Sequence, residues 1–288
     1  MKTVSTIADV RSHVAAARRA GRSVGLVPTM GAFHGGHEAL MRAAREQCDE
    51  VIVSLFVNPA QFEEPADLAA YPRTEAADAA TAARLGVAVL FAPAVTEIYP
   101  DGFATSVRVR GLADVLEGAE RGAAHFDGVC TVVCKLLNIV APDVAYFGQK
   151  DAQQVVVIRR MVRDLDIPVR LHVVPTVREL DGLALSSRNA RLDAADRERA
   201  VALSRGLQAV ADAIDAGERD GAALEAAGRA AMTAAGVEPE YLAIVDPDSL
   251  ERVQALAGRV LVVVAARVGP ARLIDNVLID TEQVATHA

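Results

Sequence analysis

Two histidines three positions apart mark the first place in this chain where chemistry could happen. They stand in the run Pro28-Thr29-Met30-Gly31-Ala32-Phe33-His34-Gly35-Gly36-His37, after an apolar stretch, Val24-Gly25-Leu26-Val27, and ahead of helical spacing from Gly36 to about Gln47. In an open α/β sheet, ligands bind outside the carboxyl ends of the strands, where a turn of this kind falls. Glycines let the backbone approach a ligand closely. A helix start offers N–H donors and a positive dipole end to an anion. Residues three apart on that first turn can face one side. Together these features suit a nucleotide phosphate, with His34 and His37 donating hydrogen bonds to it. The plainer alternative is a Gly-rich turn with two solvated histidines. Zinc fits less well: His-x-x-His lacks the i, i+4 spacing and adjacent Glu of a metalloprotease helix, and no Cys cluster is near.

Three further segments carry polar groups at similar places. Phe147-Gly148-Gln149-Lys150-Asp151 follows an apolar run and opens a helical pattern. Lys150 can neutralise phosphate charge, and Gly148 allows close approach. Asp151 suits either a helix cap or a ribose hydroxyl, and Gln154 lies one turn on. Leu185-Ser186-Ser187-Arg188-Asn189 packs two hydroxyls and a guanidinium into three residues, a compact donor set for phosphate oxygens. An ordinary Ser-rich cap loop is the alternative. Asn58-Pro59-Ala60-Gln61-Phe62 places two amides after an apolar run, where they can read a small polar ligand or simply make a turn.

The elements that must position these groups alternate. Val24–Val27, Val51–Val57, Val87–Phe91, Val144–Phe147 and Val169–Val174 read as strands. Helical spacing falls at 36–47, 73–85, 129–140 and 152–164. Continuous apolar strands separated by helices indicate a parallel sheet covered on both faces. After Arg188 the texture changes. Residues 194–235 are Ala-rich and helical, broken near Gly217 and Gly221, and strand patterns follow at 241–245, 260–268 and 272–279. Helices followed by adjacent strands predict a smaller α+β unit. The expected boundary lies near Thr176, giving domains 1–176 and 177–288.

Composition agrees with a folded, reducing-compartment protein. The 288 residues carry 30 Lys+Arg against 38 Asp+Glu, a net charge of −8, with 52% hydrophobic residues. That balance excludes disorder as the main state and argues against general nucleic-acid binding. Three cysteines cannot form a fully paired disulfide framework. Cys130 and Cys134, i and i+4 on an apolar helix, read as packing. His125 falls in a Gly/Ala-rich loop, 122–128, while His13, His172 and His287 show no site pattern. The N-terminus has no signal-peptide h-region. The longest apolar run, Val260 to Ala266, is far short of a bilayer span. The expectation is a cytoplasmic protein with no membrane partner.

Taken together, Pro28-Thr29-Met30-Gly31, His34-Gly35-Gly36-His37, Phe56-Val57-Asn58-Pro59, Gln61-Phe62, Tyr71-Pro72-Arg73-Thr74, Lys150-Asp151 and Ser186-Ser187-Arg188-Asn189 resemble one family from about residue 1 to 280. It is the pantoate–β-alanine ligase family of the adenylate-forming nucleotidyltransferases. Other nucleotidyltransferases share the His-x-Gly-His turn but do not need the Asn58-to-Gln61 and Ser186-to-Asn189 strings together. The resemblance implies a Rossmann-like ATP- and pantoate-binding domain, a smaller C-terminal α+β lid domain, and a homodimer. It implies ATP- and Mg²⁺-dependent joining of (R)-pantoate to β-alanine, with AMP and pyrophosphate released. By motif position, ATP would meet Met30, Gly31, Ala32, Phe33, His34, Gly35, Gly36 and His37. It would also meet Gly148, Gln149, Lys150, Asp151, Val177, Leu185, Ser186, Ser187 and Arg188. His37, His34, Lys150 and Arg188 would be catalytic, and Gln61, Gln154 and Asn58 would hold the organic substrates. The family's acidic Mg²⁺ contact falls on Asp78, the metal otherwise being held by ATP phosphates and water. Gln149 replaces the family's usual Glu, and Ala152 its usual aromatic.

Overall fold

The computed structural model describes residues 1–62 and 65–284; His287 lies outside them. The chain divides into two compact units, Met1–Gln149 with Gln153–Pro175, and Lys150–Ala152 with the chain from Thr176 on.

The first unit runs β1 (Lys2–Val4), α1 (Ile7–Arg19), β2 (Val24–Thr29), α2 (Gly35–Gln47), β3 (Glu50–Leu55), α3 (Pro65–Ala70), α4 (Glu75–Arg84) and β4 (Val89–Phe91). It continues through α5 (Val95–Ile98), α6 (Glu117–Arg121), α7 (Ala123–Val140), β5 (Val144–Gly148), α8 (Ala152–Asp164) and β6 (Arg170–Val174). The strands form one six-stranded sheet, ordered β1-β4-β3-β2-β5-β6, and its pairings are parallel. Every residue of β3 is buried, as a central strand covered on both faces requires. Leu40, Met41 and Ala44 of α2 pack into a cluster with Val27, Val51, Val53 and Tyr146.

The second unit adds α9 (Ala194–Ala200), α10 (Ala202–Asp215), α11 (Gly221–Ala234), β7 (Pro239–Val245), β8 (Arg259–Val268), β9 (Ala271–Asp280) and α12 (Thr281–Val284). Its sheet is antiparallel, ordered β7-β8-β9. Leu203, Leu207, Val210 and Ile214 recur along one face of α10 and pack with Leu242, Ile244, Val262 and Val264 of the sheet. The α/β domain with a smaller antiparallel-sheet domain is the fold class that the alternation of patterns predicts.

Two local expectations change. Residues 122–128 are not a loop: α7 begins at Ala123, six residues before the expected start. The glycine at its first turns serves close packing instead. A Cβ on Gly128 would lie 2.2 Å from the carbonyl oxygen of Ala60. β1 has no sequence signature because three residues are too few for a period, yet it pairs with β4 from Lys2↔Val89 to Val4↔Phe91. Among the described residues, no helix is long and apolar enough to cross a membrane.

Candidate active site

β2 pairs with β3 on one side and β5 on the other. The strand order therefore reverses at β2, and the crevice outside the carboxyl ends at such a switch point is where open α/β sheets bind ligands. β2 ends at Thr29, β3 at Leu55 and β5 at Gly148. The residues singled out at 30–37, 58–61 and 148–150 stand at these three ends or just beyond them.

The turn after β2 is held by Asp78 on α4. Its Oδ2 accepts the Ala32 N–H at 3.0 Å and the Thr74 hydroxyl at 3.1 Å, and its Oδ1 accepts the Phe33 N–H at 2.8 Å. Ala32 has φ +52°, a left-handed conformation unfavourable for a residue with a Cβ. Two charge-assisted bonds from one carboxylate hold it there. Asp78 is 2% exposed. Both oxygens are engaged by the turn, a structural role beside the Mg²⁺ contact that the resemblance implies. Among the described residues no group of three His, Cys, Asp or Glu is placed to hold a metal ion.

His34 is the N-cap of α2. Its Nδ1 accepts the Gly36 N–H at 3.1 Å, while His37 Nδ1 accepts the His34 N–H at 3.3 Å, a reciprocal capping box. A backbone N–H can only donate, so both Nδ1 atoms are unprotonated. Each neutral ring then carries its proton on Nε2. The ring centroids are 4.2 Å apart, and Phe33 lies 5.4 Å from His37. A Cβ on Gly36 would fall 2.9 Å from His34 Cε1, so a side chain there would push the capping imidazole out of place. Met30, Ala32 and Phe33 are partly buried along the same turn, and Gly35 is exposed.

After β3, Asn58 is the N-cap of a 3-10 turn, Pro59–Gln61. It was expected to touch substrate, but it is wholly buried and its amide is saturated. Nδ2 donates to the Gly128 carbonyl and to Gln61 Oε1, each at 3.1 Å. Oδ1 accepts the Tyr99 hydroxyl at 2.8 Å and the Ala60 N–H at 3.3 Å. Asn58 is a positioning residue. Because it supplies a donor to Gln61 Oε1, Gln61 is left to offer its Nε2–H group, which suits a carboxylate or hydroxyl oxygen. His125 Nδ1 lies 2.8 Å from the Gln61 carbonyl and fixes the backbone of the turn. Gln154 is partly buried on the first turn of α8.

The second unit gathers a different set. Lys150, Ser186, Arg188 and Asn189 line one pocket, with Arg272 and Asp275 of β9 in its wall. Lys150 Nζ is 3.3 Å from Asp151 Oδ1. Ser186 caps the 3-10 turn Ser187–Arg191, accepting the Arg188 N–H at 3.2 Å. Val177 and Leu185 face each other, with Leu185 N–H donating to the Val177 carbonyl at 2.9 Å. Gly148 closes β5 with open space where a Cβ would stand, and Gln149 follows in a 3-10 turn with Lys150 and Asp151.

Residues 2–278 match the family described as pantoate-beta-alanine ligase. The chain belongs to that family. A pantothenate synthetase of Moorella thermoacetica is 54% identical to it over 97% of this chain and 99% of its own length. One from Thioalkalivibrio sulfidiphilus is 52% identical over 97% and 98%. Among solved structures, the pantothenate synthetase of Thermus thermophilus superposes with a TM-score of 0.91 at 46% identity, covering 96% of this chain and 99% of that one. The Francisella tularensis pantoate-beta-alanine ligase, complexed with beta-gamma ATP and beta-alanine, gives 0.80 at 35% identity, with 98% of each chain covered.

In this pantoate–β-alanine ligase, Tyr99 supports Asn58 at the site, and Gln153 ties the 112–117 segment to α8, without any sequence signal of their own. Burial pushes the Tyr99 hydroxyl up to about 12, so it remains a donor to Asn58. Gln153, 6% exposed, donates to the Leu112 and Val115 carbonyls and accepts the Glu117 N–H. Neither would be found from residue type, because each serves partners far away in sequence.

Proposed function

We propose that the chain joins (R)-pantoate to β-alanine through a pantoyl adenylate, releasing pyrophosphate and then AMP. The observation that carries this reading is the imidazole pair at the start of α2, beyond the carboxyl end of β2, where each Nδ1 accepts a backbone N–H and fixes the ring beside the helix N-terminus. A carboxylate does not condense with an amine in neutral water without activation. A pantoate carboxylate oxygen attacks the α-phosphorus of ATP, the bond to the β-phosphate oxygen breaks, and pyrophosphate leaves. Negative charge grows on the phosphoryl oxygens. Fixed donors aimed at that charge lower the barrier most.

ATP is assigned to residues 30–37, to Gly148 through Asp151, to Val177 and to Leu185 through Arg188. His37 and His34 donate to its phosphates, and Lys150 and Arg188 supply positive charge. Gln61 and Gln154 hold pantoate, and Gln61 also meets β-alanine. The neutral amine of β-alanine then attacks the acyl carbonyl, and AMP departs. Mg²⁺ comes as the counter-ion of the ATP substrate, held by its phosphates and water. We assign a cytoplasmic homodimer on the family resemblance, in keeping with the free thiols of Cys48, Cys130 and Cys134; sedimentation in solution tests the dimer. The reaction is tested by product analysis: AMP, not ADP, forms in step with pantothenate, and only when both acid and amine are supplied. ADP as the nucleotide product would overturn the reading.

A further inference from the structure

β9 is a strand in which alternate residues are buried, until Asp275 and Asn276 break the rule. Both are polar, they are adjacent, and each is 4% exposed. Successive residues of a strand point to opposite faces, so a consecutive buried polar pair serves two sets of partners. Burying such groups costs stability unless they are fully bonded, and even then an apolar pair would serve as well. What the bonds fix in place gives the reason for them.

Asn276 Nδ2 donates to the main-chain carbonyl of Lys150 at 2.9 Å. Asp275 receives Arg178 in a two-pronged pair, Nη1 to Oδ2 at 2.5 Å and Nη2 to Oδ1 at 3.0 Å. Arg178 also donates to the carbonyls of Gly182 and Asn276. It thereby clamps the hairpin in which Arg178 bridges Ala184 and Leu185 N–H bonds the Val177 carbonyl. That hairpin runs straight into Ser186, whose hydroxyl caps Arg188, and Asn189 ties back to the Ala184 carbonyl at 3.0 Å. One dipeptide therefore reaches the segments that carry Lys150 and Arg188, and all of these residues belong to the second unit.

We propose that Asp275 and Asn276 are positioning residues that set the Lys150 and Ser186–Arg188 segments for phosphate. Asn276 acts through the Lys150 backbone, and Asp275 acts through Arg178 and the 177–185 hairpin. The proposal rests on the reading of Lys150 and Arg188 as the cations that offset phosphoryl charge. Misplacing such a group by about 1 Å can cost on the order of a hundredfold in rate, with less effect on ground-state binding.

The test is pantoate-dependent exchange of labelled pyrophosphate into ATP, with kcat and the KM for ATP measured separately. Asn276→Ala, and Asn276→Asp, which keeps the volume but turns the donor into an acceptor, should each lose roughly tenfold to a hundredfold in kcat. The KM should change far less. Melting curves identify any variant that fails to fold, and the other Asn276 variant then stands in for it. The decisive arm is a double substitution. In a Lys150→Ala background, Asn276→Ala should add less than about twofold, because the group it positions is gone. Asp275→Asn should behave in the same way toward Arg188→Ala. Full additivity in these backgrounds, or wild-type kcat in both Asn276 variants, would overturn the proposal while leaving the functional reading intact. Wild-type exchange in Lys150→Ala alone would instead remove the reading of Lys150 as a cation that offsets phosphoryl charge, and this proposal with it, while the adenylate reaction itself would stand.

Discussion

The His34 N–H donates to His37 Nδ1, while the His34 ring in turn accepts the Gly36 N–H. One hydrogen-bond pattern therefore does two jobs. It satisfies two of the orphan donors at the start of α2, and it assigns the ring tautomers, leaving Nε2–H on each imidazole. Capping and catalysis are thus separable by substitution, because they use different nitrogens of one ring.

His37→Ala should lose roughly 10²–10³ in the rate of adenylate formation, the loss expected for one transition-state donor. His37→Asn keeps an acceptor near the Nδ1 position and no outward donor. It should melt closer to the parent than His37→Ala does, by up to about 1 kcal/mol of cap energy, yet be as slow. His37→Gln places an N–H near the Nε2 position and should regain part of the rate. Wild-type turnover in His37→Asn would show that the outer nitrogen is not used.

Asp78→Ala removes the acceptor for two backbone N–H groups and a hydroxyl. Buried donors left unpaired cost about 1–3 kcal/mol each, so the melting temperature should fall and the KM for ATP should rise. The Mg²⁺ dependence of the reaction should stay as in the parent. If excess Mg²⁺ restored activity to the variant, Asp78 would be a metal contact after all.

Gln61→Ala and Gln154→Ala should weaken pantoate far more than ATP, because a lost amide leaves the substrate's polar group unpaired. Asn58→Ala should reproduce the pantoate defect of Gln61→Ala, since it releases the Gln61 amide. It should also lower stability, which Gln61→Ala should not. Steady-state KM values for each substrate check this. Equal weakening of both ligands would place the amides outside the pantoate pocket.

The parts of this molecule that sequence could reveal are those whose meaning is local. The strand-turn-helix at 24–47 is visible because apolar period, glycine and histidine fall together in one short run. The parallel sheet is visible because its strands are apolar on both faces. Support from a distance is not visible. Asp78 meets Ala32 and Phe33 across 46 and 45 positions, so its hold on the turn left no mark in the sequence, where only the family resemblance pointed to it, as a metal contact. Asn58 is saturated by Tyr99 and Gly128, 41 and 70 positions away, so an amide near the site looked like a substrate reader. Gly122 and Gly128 looked like a loop because glycine signals flexibility and close packing with the same letter.

In the proposed reaction pantoate attacks ATP before the amine takes part. The most direct measurement is the incorporation of labelled pyrophosphate into ATP by enzyme, Mg²⁺ and pantoate, with β-alanine left out. The acyl–phosphate anhydride keeps much of the energy of the bond it replaces, so the half-reaction runs backward as well as forward. Exchange should therefore appear with pantoate alone, vanish without it, and be mostly lost in Lys150→Ala, since the same cation offsets charge in both directions. No exchange in enzyme that makes pantothenate at its normal rate, under conditions where pyrophosphate leaves freely, would contradict the adenylate.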